Sequence, residues 1–295
     1  MWTLLRDGVV EVTPMPVRRP VFAEHGWYPL NRAALVQMLE EFVPERDDAA
    51  PALALVAPHA GYVFSGPVAG EAYSRVVVPD DVILLSVNHW TSHAPEFALF
   101  DAGTWQTPLG DVPIATELVA AIVAESNIVE VDYRVHMNEH SGELHVPFLQ
   151  HRNPGVRIAP VCISAWRLPM VRELGAALAR AAARVARPVL VVASTDMSHE
   201  DARPGVEGER LVEFVKAQDQ KAIDKILALD EEGLWDTVQE EHVTMCGYAS
   251  VTAALVCSKA RGATEAVLAA YGTSADSMHG RGHGKVVGYA GIIIR

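Results

Sequence analysis

Short apolar runs alternate with amphipathic stretches along most of the chain. An apolar run of about four to eight residues between turn residues indicates a buried strand, whereas apolar positions three and four apart indicate a helix. The first pattern predicts strands at residues 8–13, 53–57, 82–87, 97–100, 156–164, 188–193, 266–271 and 285–294. The second predicts helices at residues 32–42 (capped by Asn31), 67–73, 114–125, 168–186, 205–229, 231–240 and 248–259. Residues 103–113 are expected to form a loop.

This alternation of strands and helices is typical of an α/β protein with a mixed, largely parallel central sheet flanked by helices. The chain shows no internal repeat, no low-complexity tract and no compositional change that would mark a boundary. A chain of 295 residues is long enough for one large domain or two small ones. We predict a single domain over residues 1–295.

Three of the predicted strands lead into a histidine. The strand at 53–57 is followed by Pro58-His59, and the strand at 82–87 by Asn88-His89. The strand at 188–193 is followed by Ser194-Thr195-Asp196-Met197-Ser198-His199. Ligands bind at the carboxyl ends of the strands in open α/β sheets. The pattern therefore predicts one polar site at one edge of the sheet.

Charge and cysteine content narrow the class of protein. The net charge of −13 argues against nucleic acid or an anionic membrane as a partner, because both require clustered Lys and Arg. No apolar run approaches the roughly 20 residues that a membrane span needs. The apolar stretch at the start of the sequence is too short to be a signal peptide. Three cysteines do not make a disulfide framework. We expect a soluble, cytoplasmic protein.

The residues at the strand exits, together with a distant cysteine, form a candidate metal-binding set: His59, His89, Asp196, His199 and Cys246. A first-row transition metal prefers imidazole nitrogens together with an anionic oxygen or sulfur. Two histidines and a carboxylate would suit non-haem Fe(II), whereas a thiolate would favour softer metals. Cys246 precedes a predicted helix, whose dipole is expected to lower the pKa of the thiol.

Each of these residues also has a structural interpretation. A lone histidine at a strand end is more often a hydrogen-bonded structural residue, and a lone cysteine a small buried hydrophobe. Asp196 is suited to cap a following helix, and Tyr62 to pack in the core. Two further groups of residues each allow two interpretations. His140, Glu143 and His145 form either a solvated loop or a wall of the pocket, and His279 and His283 form either a flexible surface loop or a lid.

Several motifs, taken in order, resemble those of the MEMO family, which includes the prokaryotic proteins called AmmeMemoRadiSam system protein B. The motifs are Pro58-His59-Ala60-Gly61-Tyr62, Asn88-His89, Glu139-His140-Ser141-Gly142-Glu143-Leu144-His145-Val146-Pro147-Phe148, Ser194-Thr195-Asp196-Met197-Ser198-His199 and Cys246-Gly247. The early Ala23-Glu24-His25-Gly26-Trp27-Tyr28-Pro29 resembles the family's N-terminal Gly-x-Trp-Tyr element. The resemblance extends from about residue 19 to residue 294.

The resemblance implies a fold similar to the class III extradiol ring-cleaving dioxygenases. By position, His59, His89 and Cys246 match the metal ligands of the family, while Asp196 and His199 match catalytic pocket residues. The dioxygenases hold Fe(II) with two histidines and a glutamate, so a cysteine in place of the glutamate puts catechol cleavage in doubt. The family implies Fe(II) or copper as the metal and a functional link to a radical SAM protein. Two local departures are Asn88-His89-Trp90, where a Ser-His pairing is common in the family, and Gly142 in place of a larger apolar residue.

Two functional hypotheses follow. The first is a non-haem Fe(II) dioxygenase or related oxidoreductase acting on a small substrate, with a catechol-like aromatic compound as one candidate. Its substrate-contacting residues are expected to be Tyr62, Trp90, His140, Glu143 and His145. The second is a protein that binds reduced iron or copper, or a peptide, without turnover. A metal-free structural role would leave the clustered histidines unexplained.

Overall fold

A computed structural model describes residues 15–277 and 284–295 of the protein. The strand predicted at 8–13 and the histidines His279 and His283 lie outside the described residues. The strands are β1 (Val17–Arg18), β2 (Ala54–Ala57), β3 (Asp81–Val87), β4 (Phe97–Leu99), β5 (Thr104–Thr107), β6 (Gly110–Pro113), β7 (Glu130–Val131), β8 (Arg157–Ile163), β9 (Val189–Ser194), β10 (His199–Asp201), β11 (Ala266–Thr273) and β12 (Lys285–Ile294). The helices are α1 (Val21–Glu24), α2 (Arg32–Phe42), α3 (Tyr62–Ser74), α4 (Thr116–Glu125), α5 (Arg134–Met137), α6 (His140–Glu143), α7 (Val146–Arg152), α8 (Leu168–Arg184), α9 (Glu209–Leu227), α10 (Glu231–Glu240) and α11 (Tyr248–Ala260).

The main sheet has the strand order β10-β12-β2-β9-β3-β8-β4-β7, and β11 pairs with β12. The four central strands β2, β9, β3 and β8 are parallel. They are apolar nearly throughout and buried, as expected for parallel strands covered by helices. β12 is antiparallel to β2, and β4 is antiparallel to β8. The predicted α/β fold with a mixed, largely parallel sheet is confirmed.

Helices pack against the sheet and set the positions of the loops at its edge. α11 packs against the central strands and α8 packs on α11, while α3 and α9 pack against β11 and β12. α2 begins where predicted, since the Asn31 side chain accepts a hydrogen bond from the Ala34 N–H at 3.1 Å. Among the described residues, no helix is both long and apolar enough to cross a membrane.

Two local predictions were wrong. α3 begins at Tyr62 rather than Pro67, so that Pro67 lies inside the helix. Residues 103–113 form the hairpin β5–β6 rather than a loop, with Trp105 paired to Val112. Both of these side chains are buried. Each strand has only four residues, and β6 begins with Gly110 and ends with Pro113, which conceals the alternation of buried and exposed positions.

The hairpin packs its tryptophan against the segment that carries the predicted histidine cluster. A Cβ atom added at Gly142 would lie 3.1 Å from the Trp105 ring and 3.4 Å from Ser86 Cβ. Glycine therefore allows α6 to lie close to both the hairpin and β3.

An ion pair inside the protein holds the same segment. Arg18 and Glu143, both almost fully buried, are joined at 2.7 Å. Glu143 also accepts hydrogen bonds from the Phe22 N–H at 2.9 Å and the Tyr28 hydroxyl at 2.8 Å. The Arg18 guanidinium lies over the Trp105 ring, 4.6 Å from its centroid. We refer to Arg18 and Glu143 with these partners as the sealed ion pair.

Candidate metal centre

Three adjacent parallel strands, β2, β9 and β3, deliver polar residues at one edge of the sheet. β2 ends at Ala57 and leads to His59, β9 ends at Ser194 and leads to Asp196, and β3 ends at Val87 and leads to His89. The Asp196 side chain accepts the His59 N–H at 2.8 Å, which ties two of these exits together. The strand exits predicted to form one polar site therefore do lie together.

Two imidazoles and a thiol meet at this edge. The side chains of His59, His89 and Cys246 each offer one ligand atom, and these atoms all lie within 4.8 Å of one another. Cys246 Sγ is 3.3 Å from His59 Nε2, and the two histidine rings are 5.3 Å apart between centroids. Imidazole nitrogens suit iron, copper and zinc, and the thiolate shifts the preference toward the softer of these ions. We refer to these three residues as the candidate metal centre.

His59 is held from behind by a buried serine. Its Nδ1 atom lies 2.6 Å from Ser194 Oγ, and the histidine is only 1% exposed. Burial, together with the neighbouring histidines, lowers the pKa of His59 well below its usual value, so that the ring is neutral at pH 7. The neutral ring is the form that binds a metal.

His89 is held by a carboxylate instead. Its Nδ1 atom lies 2.9 Å from Glu139 Oε1, and its backbone N–H donates to Glu139 Oε2 at 2.7 Å. Glu139 also accepts hydrogen bonds from the backbone N–H and the hydroxyl of Ser141. Burial raises the pKa of Glu139, but the hydrogen bond and charge of His89 outweigh it, and the net pKa is lowered. A carboxylate behind a metal-binding histidine fixes the ring and raises its basicity.

Cys246 contributes the sulfur from the loop before α11. Its Sγ atom accepts the Asp196 N–H at 3.3 Å. The expectation of a lowered thiol pKa was wrong, because burial and the Asp196 carboxylate raise the pKa of Cys246. The cysteine lies two residues before the first helical residue, Tyr248, and desolvation dominates there. A coordinated cation would lower the pKa of the Cys246 thiol instead, since thiol ligands lose their proton on binding.

Asp196 and His199 lie beside the centre. His199 Nδ1 is 3.0 Å from the Met197 carbonyl oxygen, to which it donates, so Nε2 is the ring nitrogen that this hydrogen bond leaves available. That Nε2 is 3.9 Å from Asp196 Oδ2. Burial raises the pKa of Asp196. Asp196 caps no helix, because the chain continues into strand β10, where His199 pairs with Val287.

A cavity of about 900 Å³ opens beside these residues. One part of its lining is polar and consists of His59, His89, His140, Asp196 and His199. Aromatic side chains line it as well, namely Trp27, Phe64, Trp90 and Tyr289. The Trp90 ring N–H donates to His140 Nδ1 at 3.2 Å, and burial lowers the pKa of His140 to about 4. Trp90 and His140, two of the residues predicted to contact substrate, both line this cavity.

Three other residues expected to contact substrate do not line this cavity. The Tyr62 hydroxyl donates to the Leu144 carbonyl at 2.7 Å, and Tyr62 is 1% exposed. Glu143 belongs to the sealed ion pair. His145 is fully buried, with Nε2 2.9 Å from Ser194 Oγ. These side chains face inward and support the loops from behind.

Glu139 and Ser194 are the residues that sequence reasoning did not single out. Both sit in segments that it had marked, Glu139 directly before His140 and Ser194 at the start of the third strand exit. Sequence order alone does not show which carboxylate or hydroxyl in such a segment meets a histidine from another strand.

Comparison with known proteins identifies the family. The Memo-like protein family matches residues 18–293 of this chain. The chain belongs to the MEMO1 family. A MEMO1 family protein of Methanothermobacter thermautotrophicus is 39% identical over 239 residues, which cover 80% of this chain and 82% of the relative. The MEMO1 family proteins of Methanopyrus kandleri and Pyrobaculum arsenaticum are 38% and 33% identical, covering 86% and 95% of this chain and 87% and 99% of their own lengths. The MEMO1 family match spans every residue of the candidate metal centre.

Proposed function

We propose that this protein binds a reduced first-row transition ion, Fe(II) in preference to copper, through His59, His89 and Cys246. We further propose that it is a dioxygenase-like oxidoreductase acting on a small molecule in the adjoining cavity. The observation that carries the proposal is the meeting of three ligand atoms within 4.8 Å of one another. Each imidazole is held at Nδ1 by a partner on its far side, which leaves Nε2 for an ion.

The residues around the centre have separable roles in this proposal. His59, His89 and Cys246 would hold Fe(II), which would supply redox chemistry toward O₂ and a small substrate. His199 accepts or delivers a proton at Nε2, because its Nδ1 is committed to the Met197 carbonyl. Asp196, 3.9 Å away, orients that ring. Trp27, Phe64 and Trp90 provide apolar surfaces suited to a planar substrate.

A second candidate function is the binding of reduced copper or iron, or of a peptide side chain, without turnover. The observation that favours it is the thiol itself, since a soft sulfur ligand suits Cu(I) better than the carboxylate of an oxygenase does. The aromatic lining would accept an aromatic side chain of a partner equally well. A functional link to a radical SAM protein remains a prediction from the family resemblance.

Anaerobic metal loading tests the proposal. The parent protein should bind a single Fe(II) or Cu(I) ion, and Cys246→Ala should bind it at least about 100-fold more weakly, because a ligand is lost. Cys257→Ala is the matched control, since Cys257 is a buried cysteine inside α11. A Cys246→Ala protein that holds the ion as tightly as the parent would contradict the metal centre.

Oxygen uptake then separates the two candidate functions. The Fe(II)-loaded parent should consume O₂ in the presence of at least one catecholic or other aromatic compound from a broad panel. His199→Gln should bind the ion as the parent does but consume O₂ more slowly, by about 100-fold if a general acid–base group is lost. Ion binding without uptake across the panel would favour the non-enzymatic function.

A further inference from the structure

A row of buried polar side chains runs from α3 to the candidate metal centre. Tyr73 Oη lies 3.0 Å from His145 Nδ1, and His145 Nε2 lies 2.9 Å from Ser194 Oγ. Ser194 Oγ lies 2.6 Å from His59 Nδ1. Tyr73, His145 and Ser194 are fully buried, so these groups must satisfy one another without solvent.

The direction of the Ser194 hydroxyl hydrogen decides which of these groups donate and which accept. Ser194 Oγ has three hydrogen-bond partners, the two histidine nitrogens and the Ser141 carbonyl oxygen at 2.7 Å. A carbonyl oxygen only accepts, and a serine hydroxyl carries a single hydrogen. If that hydrogen pointed at either histidine, two oxygen atoms would face each other at 2.7 Å with no hydrogen between them. The Ser194 hydroxyl therefore donates to Ser141, and both histidines donate to Ser194.

The tautomers of both rings follow from this count. His145 carries its proton on Nε2, so its Nδ1 accepts the hydroxyl hydrogen of Tyr73. His59 carries its proton on Nδ1, which leaves a lone pair on Nε2. That Nε2 is the atom 3.3 Å from Cys246 Sγ. An imidazole binds a metal ion through its unprotonated nitrogen.

We infer that Tyr73, His145 and Ser194 are positioning residues that hold His59 in the tautomer with Nε2 free for a metal ion, before any ion is bound. Ser194 makes the direct contact with His59. Tyr73 donates to His145 and thereby prevents His145 from accepting the Ser194 hydrogen. The use of this tautomer rests on the proposed function, but the tautomer itself does not.

Nitrogen NMR of the metal-free protein labelled with ¹⁵N-histidine tests the inference directly. The His59 signals, assigned by their loss in His59→Gln, should show a protonated Nδ1 and an unprotonated Nε2. In Ser194→Ala this preference should be lost, and the affinity for Fe(II) should fall by about 10- to 100-fold, as for other partners of metal-binding histidines. Tyr73→Phe should produce a smaller change in the same direction and serves as a second variant if Ser194→Ala does not fold.

Ser258→Ala is the control, because it removes a buried hydroxyl on α11 that has no hydrogen-bond partner within the described residues. It should leave the His59 signals unchanged. A proton on Nε2 of His59 in the parent, or a parent-like tautomer and affinity in both Ser194→Ala and Tyr73→Phe, would overturn the inference. The expected tautomer in a parent that binds neither Fe(II) nor Cu(I) would support the inference while contradicting the proposed function.

Discussion

Two polar centres contact the segment 139–145, one through Glu139 and the other through Glu143, and they differ in what their polar atoms do. In the sealed ion pair, Arg18 donates to the carbonyls of His136 and Glu139 at 2.8 and 2.7 Å and contacts Glu143 at 2.7 Å. Its charge is matched within the protein. In the candidate metal centre, the possible ligand atoms of His59, His89 and Cys246 face one another within 4.8 Å, and Cys246 Sγ also accepts the Asp196 N–H. A buried charge that is matched within the protein supports the fold, whereas possible ligand atoms that converge beside a cavity can bind an ion.

Two carboxylates four residues apart divide between these centres. Glu139 faces His89 and Ser141, and Glu143 faces Arg18 and Tyr28. The same substitution at each position can therefore test whether the two centres are separate. Each variant should change one property, stability or metal affinity, and leave the other nearly unchanged.

The largest effect is expected for Glu143→Gln. It leaves the Arg18 guanidinium buried without its counter-charge, which should lower the free energy of unfolding by about 3–5 kcal/mol. Urea unfolding of the metal-free protein measures the change. Glu24→Gln is the matched control, because Glu24 pairs with Arg19 at 2.6 Å on the surface and its loss should cost at most about 1 kcal/mol. Equal losses in the two variants would contradict the sealed ion pair as a structural anchor.

Glu139→Gln should act on metal affinity. His89 would lose the carboxylate behind its ring, and Fe(II) or Cu(I) should bind about 10- to 100-fold more weakly. Competition with a chromophoric chelator measures the affinity. Folded Glu143→Gln protein should bind the ion as the parent does. A similar loss of metal affinity in both variants would contradict the separation of the two centres.

A smaller effect is expected from His136, a buried histidine whose carbonyl accepts from Arg18. Burial lowers its pKa to about 4 from the usual 6.5. Between these two pH values the unfolded chain binds a proton that the folded protein does not, so stability falls as the pH is lowered. In His136→Phe the decline should be less steep, by up to about 1.4 kcal/mol per pH unit. Urea unfolding at several pH values measures both slopes, and identical slopes would contradict a neutral, sealed His136.

The main features of the fold were predictable because they depend on local patterns. The strands β2, β3 and β9 are continuous apolar runs, and the residues that follow each run are next to it in sequence. Parallel pairing then brings His59, His89 and Asp196 to one edge without further information. The hairpin β5–β6 was missed because each strand has four residues, too few to show a period.

The roles within the histidine cluster were not predictable, because distant residues decide them. Glu143 was expected at the cavity, but Arg18, which lies more than a hundred residues earlier, holds it inside the protein. His145 was expected beside the substrate, but Tyr73 and Ser194 enclose it. Three short helices, α5, α6 and α7, form in this part of the chain, and every residue from 139 to 149 is buried, so no apolar stripe shows which way each helix faces. The raised thiol pKa of Cys246 likewise depends on burial that spacing does not reveal.

Because Trp105 lies so close to Gly142, the side-chain sizes at positions 105 and 142 depend on each other. The Trp105 ring occupies the volume that a side chain at position 142 would need, since a Cβ there would come within 3.1 Å of it. Relatives with a bulkier residue at this position should carry a smaller one in place of the tryptophan, so that the two positions exchange volume. A protein with large residues at both would have to push α6 away from β3. Glu139, at the start of that helix, would move with it and draw the His89 ring out of alignment.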